Sequence, residues 1–395
     1  MPKIDPEVES FARIKVIGVG GSGTNAVNHM VRSNVKDVEF IAVNTDAQDL
    51  HYSLAKKKVH IGKNLTRGLG TGMNPELGRK AAEESIEEVQ NVIKGADMIF
   101  LACGTGGGTG SGATAPIAKV AKDQGILTVA VVTRPFFFEG TQRMQISERA
   151  IEEIRKEVDA IIVIPNDRLL AMIDKNTTFT SAFAMCDEIL RQAVEGISDL
   201  ITTNGIINVD FADIRAVMSN AGPALMGIGR SAGENRATEA ARLAINSPLL
   251  DISIDGAKGL LFAIAGDQTM TMFEVQEAAK VIIEAIDPNA KVIFGAFHDE
   301  KLNKNEIKVT VIASGFPEGM RRKPAAAPGA PESRSFLDSL RPSREEVEPV
   351  AEKTTKKAEP VPAPATKTAP TKTTETDDDD DWSSIPAFLR RPKSK

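Results

Sequence analysis

Residues 103–115 read CGTGGGTGSGATA, with six glycines in thirteen positions. The apolar run DMIFLA (Asp97–Ala102) precedes this stretch, and Ala113 begins the next helical pattern. A strand must therefore pass into a helix through backbone that is almost free of side chains. Bare N–H groups gathered at a helix N-terminus make a cradle for an anion. A similar handover occurs in RIKVIGVGGSGTNAV, where Gly18, Gly20 and Gly23 have G-x-G-x-x-G spacing and Asp46 ends the next strand. That spacing is the dinucleotide fingerprint, and it is also what any tight strand-to-helix turn selects. One pyrophosphate needs one cradle. Two cradles on neighbouring strands, with a third glycine-rich stretch at GLGTGMNP (Gly68–Pro75), suit a chain of three phosphates and so a nucleoside triphosphate. The chain has no G-x-x-x-x-G-K-[ST] loop, and no lysine is placed to reach the phosphates. Their charge is left to backbone dipoles and a cation.

The surrounding pattern sets the architecture. RIKVIGV (Arg13–Val19), VEFIAV (Val38–Val43), DMIFLA, ILTVAVV (Ile126–Val132) and DAIIVIP (Asp159–Pro165) are short β-branched runs separated by helical stretches. They read as buried parallel strands of a doubly wound α/β domain over residues 13–178, with ligands at the carboxyl ends of the strands. Apolar residues at helical spacing from Thr178 to Thr202 predict a long connecting helix over 179–204. Beyond it, IINV, GLLFAIAGDQT, KVIFGAF and EIKVTVIAS alternate with helical stretches at Glu234–Asn246 and Phe273–Ile286, predicting a smaller α+β domain over 205–316.

Composition divides off the rest. Twelve of the 21 prolines, but only two of the 31 glycines, lie from Pro317 onward. Residues 317–381 read as a disordered linker that cannot bury enough apolar surface to offset the entropy of ordering it. Five aspartates, Asp377–Asp381, precede the terminal peptide WSSIPAFLRRPKSK (382–395), which carries the single tryptophan. Residues 1–12 read as a flexible N-terminus. A net charge of −6 and the lack of a basic stripe argue against nucleic acid as a partner. Two cysteines, Cys103 and Cys186, give neither a disulfide framework nor a zinc site, and Cys103 reads as a small buried residue. With no signal pattern and no apolar run of about 18 residues, the chain is expected to be cytoplasmic. It would meet a membrane only through a partner.

GGGTGSG (Gly106–Gly112) is the tubulin-type signature. Together with VIGVGGSGTNAV, AVNTDAQ, VVTRPFFFEG, IPNDRL, NVDFADI and IPAFLRR, in that order and spacing, it resembles the FtsZ family of bacterial tubulin-like division GTPases over residues 11–316 and at the terminus. Ser22 and Thr24 stand where members often carry glycine, and small hydroxyls still donate to phosphate. The resemblance implies a GTP/GDP and Mg²⁺ site. Gly21, Ser22, Gly23, Thr24 and Asn25, with Gly108, Thr109 and Gly110, match phosphate contacts, and Gly72 lies near the γ-phosphate. Glu139 and Arg143 match ribose and phosphate contacts; Asn166, Phe183 and Asp187 match contacts to the base. An ionised carboxylate accepts the two N–H donors on guanine's edge, whereas adenine has no such pair. From the residues alone, Phe183 and Asp187 read equally as the core and solvated faces of an amphipathic helix.

In INVDFADIRAVM, Asn208, Asp210 and Asp213 lie where a short strand gives way to a helix. The two aspartates there can simply cap the helix and complement its dipole. The resemblance implies instead that this loop docks on the nucleotide of a neighbouring copy, with Asp210 and Asp213 positioning the attacking water and supporting Mg²⁺ and Asn208 orienting the loop. Such copies would join head-to-tail in a filament, the polymer of the division ring at midcell beneath the inner membrane. Ile385, Pro386, Phe388, Leu389 and Arg390 match the family's terminal peptide, which engages membrane tethers and division regulators. Two other classes stay open on the residues: a non-catalytic nucleotide-gated scaffold, and a dinucleotide oxidoreductase accounting for the first loop only. His29, His51, His60 and His298 show no spacing that assigns them a role.

Overall fold

Each of the five β-branched runs is a strand in the computed structural model, which describes residues 12–170, 177–203, 205–247, 250, 254, 256–299 and 301–316. Strands β1 (Ile14–Val19), β2 (Val38–Asn44), β3 (Lys57–His60), β4 (Met98–Gly104), β5 (Leu127–Arg134) and β6 (Ala160–Pro165) lie parallel in the order β3-β2-β1-β4-β5-β6. The short edge strand β3, which begins with the exposed Lys57 and Lys58, has no apolar run to betray it. Helices α1 (Gly20–Arg32), α2 (Ala47–Tyr52) and α3 (Lys63–Thr66) follow the first three strands. Next, α4 (Pro75–Glu84) and α5 (Ile86–Ile93) lead into β4, and α6 (Thr109–Asp123), α7 (Thr141–Glu157) and α8 (Asn166–Leu170) follow β4, β5 and β6.

Successive residues of a strand face opposite sides, and β4 divides accordingly. Met98 and Phe100 enter one core cluster, while Ile99 and Leu101 enter the other. Both faces are covered, which is why these strands read as unbroken apolar runs. Strand order reverses between β1 and β4, so the crevice at their carboxyl ends is the switch point where such sheets bind ligands. The two glycine loops follow those two strands.

Helix α9 (Phe179–Thr202) starts with Thr178, whose hydroxyl accepts from the Ser181 N–H at 3.2 Å. After it come α10 (Phe211–Met218), β7 (Gly222–Ala232), α11 (Arg236–Ile245), β8 (Gly259–Gly266), α12 (Met272–Ile283), β9 (Lys291–His298) and β10 (Glu306–Ser314). The expected smaller α+β region shares the sheet of the first half. β7 pairs parallel to β6 through Ala160–Gly222 to Ile162–Ala224, and the order continues β7-β10-β8-β9. IINV, expected as a strand, contributes only a bridge between Ile207 and Ala296. The sequence pattern does not predict β7, because glycines dilute it. A side chain on Gly227 or Gly229 would strike the carbonyls of Ala244 or Ala240 on α11.

Leu190, Ala193, Val194, Ile197 and Leu200 of α9 are buried in one cluster with Phe100 and Val129 of the first half and Met226, Leu261 and Ile312 of the second. Full burial of each larger side chain contributes about 1.5–3 kcal/mol before entropy is counted. Gly196 lets the helix lie close on β10, since a Cβ there would stand 2.9 Å from Thr310 Cγ2. The N-terminal residues 1–11, the linker 317–381 and the terminal peptide with Ile385, Pro386, Phe388, Leu389 and Arg390 lie outside the described residues. No helix among the described residues is long and apolar enough to cross a membrane.

Candidate active site

A cleft of about 660 Å³ opens at the carboxyl ends of the first-half strands. Gly21, Ser22 and Asn25 from the turn into α1, Gly72 from the loop before α4, and Gly108, Thr109 and Gly110 from the turn into α6 all line it. Helices α1 and α6 begin without a side-chain cap and without an acidic residue in the first turn. Among the described residues, no acceptor takes the N–H groups of Gly21, Ser22, Gly107, Gly108, Thr109 or Gly110. A helix start normally meets these donors with a cap. Here they lie at the cleft, where they can donate to an anion. The neighbouring helices α4 and α2 are capped, by Asn74 and by Asp46, which accepts from Gln48 and Asp49 N–H at 2.9 and 3.1 Å, while α5, α7 and α11 also start without a side-chain cap bond.

Three hydroxyls tie the loops together. Thr109 Oγ1 lies 2.6 Å from Thr45 Oγ1 and 3.1 Å from Thr71 Oγ1, joining the ends of β2 and β4 to the loop before α4. Thr45 and Thr71 lie within the stretches AVNTDAQ and GLGTGMNP, but neither stretch predicts the hydroxyl link to Thr109. Gly23 and Thr24 do not line the cleft, contrary to the expectation that they contact phosphate. A Cβ on Gly23 would strike the Ala102 carbonyl, so this glycine allows close helix–strand packing. Thr24 is fully buried and donates to the Gly20 carbonyl at 2.9 Å, which keeps its hydroxyl from a ligand.

The other wall comes from the second half of the parallel sheet and from α9. Glu139 Oε1 accepts from the Phe136 N–H at 2.9 Å, and its Oε2 accepts from Arg143 Nη1 at 3.0 Å. Phe183 packs edge-on against Phe136 with centroids 5.3 Å apart, so the expected base-stacking ring also belongs to the core margin. Asn166 is 5% exposed, and its Oδ1 has no hydrogen-bond partner. A buried amide oxygen without a donor is costly and rare, and a ligand N–H in the cleft would satisfy it. Asp187 lines the same cleft without a donor from any described residue, and burial pushes its carboxyl up to about 7. Burial also raises the Cys186 thiol, and that of the fully buried Cys103 to about 11, so both act as inert packing groups.

His29 and Arg32 complete the rim, one and two turns beyond Asn25 on the same face of α1. The sequence assigns His29 nothing. In the fold its Nε2 lies 2.9 Å from Glu188 Oε2 on α9. Burial opposes ionisation of Glu188, but bonds from Arg191, His29 and Gln192 outweigh it and bring the carboxyl down to about 2.

Asn208, Asp210 and Asp213 are absent from the cleft. Asp187 and Thr202 are 15 residues apart on α9, about 22 Å along a helix, and the acidic loop follows the far end. Asn208 Oδ1 accepts from the Gly205 N–H at 2.7 Å and closes the loop. Asp210 occupies the N-cap position of α10 without a side-chain cap bond, and Asp213 lies in the first turn. Both are exposed, and neither carboxylate accepts a hydrogen bond among the described residues. Side-chain capping, the plainer reading of these aspartates, is not realised.

Comparison with known proteins agrees with this layout. Residues 13–174 match the Tubulin/FtsZ family GTPase domain, and residues 222–317 match the FtsZ family C-terminal domain. An empty FtsZ dimer from M. jannaschii is 43% identical, with 82% of this chain and 96% of that one covered and a TM-score of 0.76. A tryptophan-to-tyrosine mutant of FtsZ from M. jannaschii is 45% identical over 78% of this chain and 92% of that one, with a TM-score of 0.74. GDP-bound monomeric CetZ1 from Haloferax volcanii is 25% identical over 78% and 95%, with a TM-score of 0.67. With both halves matched by the family's domains and relatives of 43–45% identity covered almost throughout, the chain belongs to the tubulin/FtsZ family of GTPases.

Proposed function

We propose that this chain binds GTP in the cleft and hydrolyses it only where a second copy brings its acidic loop to the first copy's phosphates. The observation carrying this reading is the separation within one chain: donors without acceptors at one end of α9, and exposed carboxylates without donors at the other. The free N–H groups of the two glycine loops hold the phosphates and oppose the charge that develops on them during transfer. Asn166 Oδ1 and ionised Asp187 accept from the guanine edge, Phe183 lies against the base, and Glu139 and Arg143 hold the ribose and phosphate side. Asp210 and Asp213 of the next copy polarise and orient the attacking water, in a loop held by Asn208. A bound Mg²⁺ supplies the charge neutralisation that backbone dipoles leave incomplete. With no cluster of three or more ligating side chains among the described residues, it would be held chiefly by the phosphates, supported by Asp210 and Asp213.

Contact of this kind is head-to-tail and generates an open filament. The dimeric state of the M. jannaschii relative supports self-association. So does the distribution of exposed apolar residues, with Leu69 and Phe137 near the cleft and Ile206, Met272 and Phe273 near the acidic loop. In a cell, such filaments would form the division ring at midcell, beneath the inner membrane. They would be tethered by the terminal peptide Ile385–Arg390, whose many copies along one polymer bind by avidity. The linker would reach roughly 45 Å. Deleting Trp382–Lys395 should abolish recruitment to a tether and leave GTP turnover intact.

The test is phosphate release from GTP per protein molecule, with Mg²⁺, across a range of protein concentrations while light scattering follows assembly. Specific activity that stays near zero and rises with scattering supports a shared site. Constant specific activity places catalysis within one chain and removes the roles given to Asn208, Asp210 and Asp213.

A further inference from the structure

Arg236, the first residue of α11, has a side chain only 3% exposed, yet it lies on no wall of the cleft and makes no contact with the acidic loop. A buried guanidinium requires several acceptors to offset its desolvation. Arg236 has four partners, each from the end of the second half to which the acidic loop belongs. Its Nε and Nη2 bond Glu274 Oε1 and Oε2 at 2.7 and 3.2 Å, and Nη2 also bonds Thr269 Oγ1 at 3.1 Å. Nη1 bonds Asp267 Oδ1 at 3.2 Å and Asn305 Oδ1 at 2.9 Å. Glu274 in turn closes the capping box of α12, accepting from Thr271 N–H at 2.8 Å. One planar fork therefore fixes the loop 267–271, the start of α12 and the turn before β10.

The next two residues along are Met272 and Phe273, each 69% exposed. Large apolar side chains presented side by side from a rigid, buried network are a contact surface rather than a frayed end. The same loop adjoins the acidic segment. Asp267 O lies 3.2 Å from His298 Nδ1 at the end of β9, and Ile206 and Ile207 donate to Ala296 O on that strand.

We infer that Arg236 is a positioning residue for assembly: it holds Met272 and Phe273 where the cleft rim of a second copy, with its exposed Leu69 and Phe137, covers them. This rests on the head-to-tail reading above. The occupant is a second copy because the face carrying the pair is continuous with the loop that must reach the next copy's phosphates. Lysine keeps the charge at this position but not the fork, so it cannot hold four partners in one plane.

In the full-length chain, Arg236→Met should bind GTP within twofold of wild type and need at least tenfold more protein to assemble. Arg236→Lys should restore little of this. A discriminating readout comes from mixtures. A subunit with an intact cleft face and a defective opposite face adds to one end of a wild-type filament and stops further growth there. One part of Arg236→Met in ten of wild type should therefore lower polymer mass well beyond dilution, which a misfolded chain would not do. Because Arg236→Met can fail to fold, the paired change Met272→Ser with Phe273→Ser provides a second arm; it alters only exposed atoms and should assemble as poorly and poison wild type in the same way. If the paired variant assembles at the wild-type concentration, or if a folded Arg236→Met does, the inference is overturned. If wild type itself shows no concentration-dependent assembly, the head-to-tail reading falls first.

Discussion

The two ends of α9 are built from opposite materials. At the cleft end, α1 and α6 start with bare N–H groups, no cap and no acidic residue in the first turn. At the far end, α12 starts with a complete capping box, and α10 starts with two exposed aspartates. Bare N–H groups from two helix starts meeting at one crevice leave donor capacity for something outside the chain. Carboxylates left without donors about 22 Å away are the counterpart. On the head-to-tail reading proposed above, each end supplies what the other lacks, and the length of α9 keeps one chain from supplying itself.

Removing the acidic half should have the largest effect. Asp210→Ala and Asp213→Ala should each lower GTP turnover about 100-fold or more, the scale seen when a preorganised electrostatic contributor is lost, with GTP binding unchanged. Turnover at the wild-type rate in assembled Asp213→Ala polymers would sink the shared site.

The donor half is broken by giving it the cap it lacks. Ser22→Asp places a carboxylate at the start of α1, where it should stabilise the empty protein by about 0.3–1 kcal/mol and weaken GTP binding by tenfold or more through repulsion. Thermal denaturation and nucleotide titration should thus move in opposite directions; parallel changes would show that the helix start is not a phosphate cradle. At limiting GTP, Asp210→Ala and Ser22→Asp should each turn over far more slowly than wild type alone. An equal mixture of Asp210→Ala and Ser22→Asp should recover part of the activity, because the first supplies clefts and the second supplies acidic loops.

A smaller, graded effect is expected with pH. Burial raises the Asp187 carboxyl to about 7, and guanine's N–H pair requires the ionised form. Binding therefore strengthens as pH rises through 7 and levels off above it. Below 7, GTP affinity should fall, approaching about tenfold per pH unit, and level off only below the lower pKa that Asp187 takes with nucleotide bound. A flat affinity profile between pH 5.5 and 8 would remove Asp187 from the base contact. Asp187→Asn should flatten the profile and lower affinity for GTP.

Much of this was legible in the chain because the signals are local. β-branched runs separated by helical stretches dictated the parallel half, and glycine density at the ends of two strands marked the phosphate cradle. Local signals failed where a residue answers to a distant neighbour. Gly227 and Gly229 weaken the strand pattern of β7 because α11 lies against them. Thr24 reads as a phosphate donor and instead bonds Gly20 within the helix. The Thr45–Thr109–Thr71 hydroxyl link and the Arg236 network join residues separated by up to 69 positions, pairings that no local pattern specifies.

By itself the sequence determined which backbone stretches can approach a polyphosphate, since glycine spacing and strand periodicity are properties of adjacent residues. Only the tertiary structure decided that Gly23 lies against the Ala102 carbonyl, that Asn166 and Asp187 line one cleft, and that Asp210 and Asp213 stand a helix length from it. Those facts depend on how α9 lies across the sheet. Its course is set by a buried apolar face and by the close approach of Gly196 to Thr310, packing that no local pattern encodes.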